Sequence, residues 1–320
     1  MKHLILVGAC YLDTILTVPE FPEEDSKLRA TDLQVRRGGN CPNTLEVLQQ
    51  LLASGKHEVQ VRPHLIACLP GVNTTVTHKI FLSFGDDDET RLVDLTHCLY
   101  RTGYDEPASS YIIRSSKTGS RTIVNYNDLP EMTLDEFEKT ATAFSARSKE
   151  GEGCWWHFEG RVPETTLQCI RHLRQVTPKS TISVEVEKPN REGLVEIAAE
   201  ADVVFYSRTW AESRGYKNPE ACLRGEAESS QASIMFCTWG AGGAGMLHLS
   251  SGGSRYIHCP TNPTGEPISV VDTIGAGDTF IAGALYALHI ESWDPEAKLA
   301  FAVALATKKV QREGFAGLTP

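Results

Sequence analysis

Apolar and polar positions follow two rhythms along this chain. Short apolar runs at Leu4-Ile5-Leu6-Val7 and near 155–159, 181–187, 202–206 and 233–239 predict buried strands. Between the later runs, stretches near 164–175, 191–200 and 219–229 place apolar residues at helical spacing. Strands alternating with helices predict an α/β fold, a mostly parallel sheet covered on both faces. Ligands on such a sheet bind beyond the C-terminal ends of the strands. Two portions, about 9–36 and 104–127, break the alternation with strand-like runs such as Tyr111-Ile112-Ile113 and Thr122-Ile123-Val124, and predict a small β lid. A further helix is predicted after Asn43, with Leu45, Leu48, Leu51 and Leu52 on one face and Gly55 as its C-cap. Another is predicted over 280–289, where Phe280, Ile281, Ala284, Leu285 and Leu288 form an amphipathic stripe.

With 320 residues and 41% hydrophobic side chains, the chain can bury one large core, and 1–320 is expected to form a single domain. A net charge of -10 without a basic cluster argues against nucleic acid as a partner. No apolar run approaches the roughly 18 residues of a membrane span, and Leu4–Val7 is too short for a signal peptide, so a cytoplasmic protein is expected. The nine cysteines lack a close Cys-x-x-Cys pair and read as reduced thiols rather than zinc ligands. The run Asp86-Asp87-Asp88-Glu89 reads as a solvated loop or helix face.

The chemistry concentrates at Val271-Asp272-Thr273-Ile274-Gly275-Ala276-Gly277-Asp278-Thr279-Phe280. Little side-chain bulk at Gly275, Ala276 and Gly277 lets backbone N–H groups at a helix start approach a negatively charged ligand. Asp278 closes the turn where it could take a proton from an alcohol attacking phosphorus; a plain aspartate N-cap is the alternative. A second polar cluster, Arg36-Arg37-Gly38-Gly39-Asn40-Cys41-Pro42-Asn43, also precedes a helix. Gly39 permits close backbone approach, and the amides of Asn40 and Asn43 can donate to and accept from sugar hydroxyls. Asp13, after the first strand, reads either as a ligand for hydroxyls or as an exposed edge aspartate. Glu185 and Glu187 flank Val186 and face one side of a strand, as a water-mediated Mg²⁺ site or as a solvated face with Lys188 beside Glu187.

Asp-Thr-Ile-Gly-Ala-Gly-Asp-Thr-Phe resembles the C-terminal signature of the ribokinase-like sugar kinases, the PfkB family, and Gly-Gly-Asn-x-x-Asn resembles their N-terminal signature. The resemblance implies a three-layer α/β/α fold, Asp278 as catalytic base and Gly275-Ala276-Gly277 as an anion hole. It also implies sugar ligands at Asp13, Gly39, Asn40, Asn43 and Asp278. Thr238-Trp239-Gly240-Ala241-Gly242-Gly243 is similar to the family's nucleotide loop, which assigns Gly240 and Gly243 to ATP; a hairpin turn is the alternative. Within the family, Pro22–Arg29, Gly119–Ile123, His157–Arg161 and Ser183–Pro189 resemble the ketohexokinase group. There Asp25 would serve a sugar site built by a dimer of lids, and Arg121, otherwise a surface ion-pair partner, would approach the phosphates. The Asn-x-x-Glu motif of many relatives is absent after Val203–Tyr206, as in ketohexokinases, and 62–100 fits the family least.

The resemblance thus implies ATP-dependent phosphorylation of a ketose primary hydroxyl, D-fructose to fructose 1-phosphate first, with ATP and Mg²⁺ as cofactors and a monovalent cation left open as a third. The expected assembly is a homodimer joined through the lids. A kinase for another small sugar or nucleoside, and a catalytically silent sugar or nucleotide sensor, are the alternatives.

Overall fold

A computed structural model describes residues 2–54, 60–85, 91–147, 153–263, 265, 267–290 and 292–319. Gly55 and the acidic run 86–89 lie outside these residues, so the expected C-cap and solvated face there are not described.

The strands are β1 (Lys2–Val7), β2 (Tyr11–Val18), β3 (Asp32–Gly38), β4 (Val61–Ile66), β5 (Cys68–Pro70), β6 (Leu99–Arg101), β7 (Ala108–Ser115), β8 (Arg121–Tyr126), β9 (Cys154–Glu159), β10 (Thr181–Val186), β11 (Val203–Tyr206), β12 (Ile234–Thr238), β13 (Ala244–Ser250) and β14 (Gly253–Cys259). The helices are α1 (Asn40–Ala53), α2 (Thr75–Leu82), α3 (Leu134–Arg147), α4 (Pro163–Val176), α5 (Leu194–Ala199), α6 (Arg208–Ser213), α7 (Pro219–Ala227), α8 (Ala276–Leu288) and α9 (Pro295–Val310).

The main sheet has the order β14-β13-β12-β11-β10-β9-β1-β4. Its six strands from β12 to β4 run parallel, and β13 and β14 close one edge as an antiparallel hairpin. Period-two alternation sorts β1 between two cores. Leu4 and Leu6 enter one core with Leu45 and Leu48 of α1 and Phe280 and Leu285 of α8. Ile5 and Val7 enter the other with Phe137 of α3 and Ile170 of α4. The result is helix, sheet, helix, as the sequence rhythm predicts.

One expectation changes in detail. The helix over 280–289 is not amphipathic in its setting: α8 is buried from Asp278 to Ala287 because it lies between α1, α9 and the sheet. Ala282, Gly283 and Ala284 give its remaining faces the small surface that close packing needs, and a Cβ at Gly283 would stand 3.0 Å from Ala302 of α9.

A separate four-stranded sheet, β3-β2-β7-β8, comes from the two stretches that break the alternation. Its outer face carries cross-strand rows of apolar side chains. Val35, Thr14, Tyr111 and Val124 are in register across all four strands, and Leu33 pairs with Leu16 in the neighbouring row. Leu33 and Val124 are each 61% exposed, a large open apolar area for strands in water.

Candidate active site

Two helices begin at the same point, and each start depends on a glycine. Gly39 caps α1 at φ 102, and a Cβ there would lie 2.2 Å from the Ala9 carbonyl. Gly275 caps α8 at φ 76, where a Cβ would lie 2.3 Å from the Phe315 ring. Both are left-handed positions closed to side chains by contact as well as by torsion. The first turns then meet: the Asn43 amide donates to Asp278 Oδ2 at 2.7 Å, and the Thr44 hydroxyl donates to the Asp278 carbonyl at 3.2 Å.

Asp278 is 7% exposed and borders a cleft of about 370 Å³ between the main sheet and the lid. Burial pushes its carboxyl up to about 7, with Glu187 and Glu159 adding to the rise and the Asn43 hydrogen bond and Arg37 opposing it. A carboxyl poised there can alternate between acid and base near neutral pH, which suits proton removal from an alcohol. The amides at the turn divide into two kinds. Ala276 N–H is turned onto the Thr273 carbonyl at 3.3 Å, whereas among the described residues no backbone acceptor faces the N–H of Gly277 or Asp278. Gly275 N–H has none either, so Gly275, Gly277 and Asp278 keep unspent donors, and the expected anion hole is corrected at Ala276, whose N–H is taken up by Thr273. A Cβ at Gly277 would meet nothing within 4 Å, so its α-carbon faces open space in the cleft wall.

The turn is anchored from behind. Lys309, wholly buried on α9, donates to Asp272 Oδ2 at 2.8 Å, and Asp272 Oδ1 accepts the Ile274 N–H at 2.9 Å. From the lid, Arg121 donates to the Thr273 hydroxyl at 2.8 Å and borders the cleft, which places a guanidinium at the entrance to the glycine turn. Asp13 is buried against Gly38, where a Cβ would lie 2.3 Å from its Oδ2. Burial raises its carboxyl, against Ser110, Arg36 and Arg37. The edge-aspartate alternative therefore does not describe its setting.

The acidic pair is gathered by an amide. Asn40 Nδ2 donates to Glu185 Oε1 at 2.9 Å and to Glu187 Oε2 at 3.1 Å, while Glu187 also pairs with Lys188. Glu185 Oε2 is buried and has no hydrogen-bond partner, and burial first, then Glu187, Asp278 and Glu159, holds this carboxyl well above its ordinary range. An orphaned carboxylate oxygen among acids fits a cation. Among the described residues no three His, Cys, Asp or Glu side chains form a closed metal cage, so the fit is to a hydrated Mg²⁺ that takes one or two protein carboxylates.

Asp13, Gly39, Asn40, Asn43, Arg121, Glu185, Glu187 and the turn 275–278 all border this cleft. Asp25 does not: it stands exposed in a turn at φ 60, outside the cleft of its own chain. Gly240 and Gly243 lie just past Thr238, the last cleft residue of β12, in a tight turn where a Cβ at Gly243 would lie 2.0 Å from the Cys259 carbonyl.

Two residues of the site escape sequence reasoning. Glu159 ends β9 and accepts the Ala9 N–H at 2.9 Å; an acid closing the apolar run Trp155-Trp156-His157-Phe158 at a strand's C-terminal end was its available signal. Arg37 donates to Asn43 Oδ1 at 2.9 Å from β3, and nothing in a double arginine tells which member turns inward.

A three-layer α/β/α sheet with a β lid, two converging helix starts and a buried aspartate at a glycine turn defines the ribokinase-like class of sugar and nucleoside kinases. Residues 1–320 match the family described as pfkB family carbohydrate kinase, and the chain belongs to that family. It is 31% identical over 326 residues to mouse (Mus musculus) ketohexokinase, covering 99% of each chain. Its fold matches the crystal structure of Thermotoga maritima ribokinase with a TM-score of 0.73 at 18% identity, covering 100% of this chain and 96% of that one. Arabidopsis thaliana ribokinase complexed with ribose and ATP matches with a TM-score of 0.71 at 18% identity, again over 100% and 96%. No helix among the described residues is long and apolar enough to cross a membrane.

Proposed function

We propose that this sugar kinase transfers the terminal phosphoryl group of ATP to the primary hydroxyl of a ketose, D-fructose first, giving fructose 1-phosphate and ADP. The observation that carries the reading is Asp278, buried at the meeting of two helix starts with its carboxyl opening on the cleft. In this reading Asp278 accepts the hydroxyl proton as that oxygen bonds to phosphorus and the bond to the bridging oxygen of ADP breaks. The N–H groups of Gly275, Gly277 and Asp278 donate to the oxygens of the transferring group. Arg121 offers its guanidinium fork to the polyphosphate, and the loop at Gly240 and Gly243 receives the nucleotide. Asp13, Gly39, Asn40 and Asn43 orient the sugar. Mg²⁺ held near Glu185 and Glu187 would neutralise phosphate charge. The similarity to mouse ketohexokinase across both full lengths supports the ketose over ribose or a nucleoside. ADP release with fructose, other ketoses, ribose and adenosine tests it: fructose is expected to give the highest kcat/KM, and faster turnover of ribose or adenosine would overturn the sugar assignment.

The pH dependence follows from the state of Asp278. The base works as a carboxylate, and its carboxyl is pushed up to about 7. Turnover should therefore rise as pH increases through about 7 and level off above it. A rate already flat from pH 5 upward would contradict this setting for the base.

The lid supplies the proposed assembly. A second copy laid across the outer rows at Leu33, Val35, Tyr111 and Val124 would cover their open apolar area, and it would carry each exposed Asp25 towards its neighbour's cleft. Val124→Glu places a charge in the middle of that face. The expected result in analytical ultracentrifugation is a shift from dimer to monomer with a higher KM for sugar; a native protein that sediments as a monomer would refute the assembly.

A further inference from the structure

Arg37 stands at the centre of a buried chain that begins outside the catalytic elements and ends on the base. It leaves β3 on the face opposite to Arg36, is 6% exposed, and lies with its guanidinium carbon 4.8 Å from the centre of the Phe84 ring. Its planar fork is divided among three partners. Nε donates to the Ser83 hydroxyl at 2.9 Å, one terminal nitrogen bonds the Glu46 carboxylate, and the other donates to Asn43 Oδ1 at 2.9 Å. Asn43 passes the constraint on, since its Nδ2 donates to Asp278 Oδ2 at 2.7 Å.

An amide side chain has one accepting and one donating end, and its two orientations differ by a half-turn that exchanges them. With Arg37 donating to Oδ1, only Nδ2 can face Asp278. Were the amide reversed, two acceptor oxygens would oppose each other, and the arginine would meet an NH₂ group.

We infer that Arg37 is a positioning residue for phosphoryl transfer, fixing the Asn43 amide so that its NH₂ holds the Asp278 carboxylate in the attitude that receives the hydroxyl proton. This rests on Asp278 being the base. Ser83, the C-cap of α2, and Glu46 of α1 hold the guanidinium in turn, so the relay joins the least family-like part of the chain to the reacting centre.

The test is a double-mutant cycle on kcat, with KM for fructose and ATP and the melting temperature recorded for every variant. Arg37→Met keeps bulk against Phe84 and removes the donors. It is expected to lower kcat by about 10- to 100-fold, the range for a hydrogen bond to a charged group, with KM for ATP within about twofold of native, since nucleotide contacts lie elsewhere in the reading. Asn43→Ala should lower kcat at least as far. The double variant should fall no further than the lower single, because the arginine acts through the amide. Independent, multiplying losses, or an Arg37→Met kcat within twofold of native, would overturn the relay. If Arg37→Met does not fold, Arg37→Lys carries the same cycle, retaining one donor and losing the fork. Asp278→Asn measured alongside separates the two readings: turnover surviving in that variant removes the base itself, whereas an inactive Asp278→Asn with multiplying losses removes only the relay.

Discussion

Asp278→Asn is expected to lower kcat by about 10² to 10⁴, the usual contribution of a positioned general base, while leaving ATP affinity near native. The amide is nearly isosteric with the carboxyl and can still accept from Asn43, so the helix start should keep its shape. It cannot take up a proton. Stability should move the other way. The folded carboxyl sits near 7, above its ordinary value of 3.8, so between these two values the folded protein binds more protons than the unfolded chain. Stability then falls as pH rises through that window, and the burden of the buried charge is complete above about 7. Asparagine removes it, and Asp278→Asn should melt higher than native at pH 8 and closest to native near pH 4. A variant that is less stable at pH 8, or one within twofold of native turnover, would show that the buried carboxylate is not held there for catalysis.

The glycines of the turn should separate folding from chemistry. Gly275→Ala forces a Cβ to 2.3 Å from the Phe315 ring at a φ of 76. Overpacking of this kind costs about 1–3 kcal/mol, and the left-handed torsion about 1–2 kcal/mol more for an alanine. Its melting temperature and its activity should fall together. Gly277→Ala meets nothing within 4 Å and lies inside α8, so stability should stay within about 0.5 kcal/mol of native. Its methyl group nevertheless enters the cleft wall beside the donor meant for the transferring phosphate. Alanine keeps the N–H, so the drop expected is the one the methyl causes by holding phosphate off that donor, with the about 10² to 10³ in kcat for outright loss of a donor as its ceiling. Thermal melts beside ADP-release rates decide the matter: a fully active Gly277→Ala would show that phosphate does not approach the helix start across the Gly277 α-carbon.

Local patterns carried most of the fold because each strand's buried positions are adjacent in sequence. Leu4-Ile5-Leu6-Val7 serves both cores and can only be a run without polar residues, and the glycines at 38–39 and 275–277 announced two helix starts, although α1 and α8 begin at Asn40 and Ala276, earlier than the apolar spacing after Asn43 and from 280 shows. The lid strands were also visible, since Tyr111 and Thr122 sit in stretches with no helical period. Relations between distant segments were not legible. The meeting of Asn43 with Asp278 spans 235 positions and depends on α1 and α8 packing side by side. Arg37 and Arg36 look alike in the sequence, and only the register of β3 against β2 sends one inward to Asn43 and the other towards Asp272. Glu159 became a site residue only when β9 was placed between β1 and β10, beside Ala9 and the acidic pair. Asp25 shows the converse: the resemblance assigns it to a sugar site, and within one chain it reaches none.

Rapid-quench single turnover isolates the step on which everything else depends. Enzyme in excess, preloaded with Mg²⁺ and ATP labelled in its terminal phosphate, is mixed with fructose, and label in the sugar is followed for native protein and Asp278→Asn. The expected result is a transfer step slowed by about 10² or more in the variant, with the same initial amount of bound nucleotide. Equal transfer rates in the two proteins would contradict proton removal by Asp278.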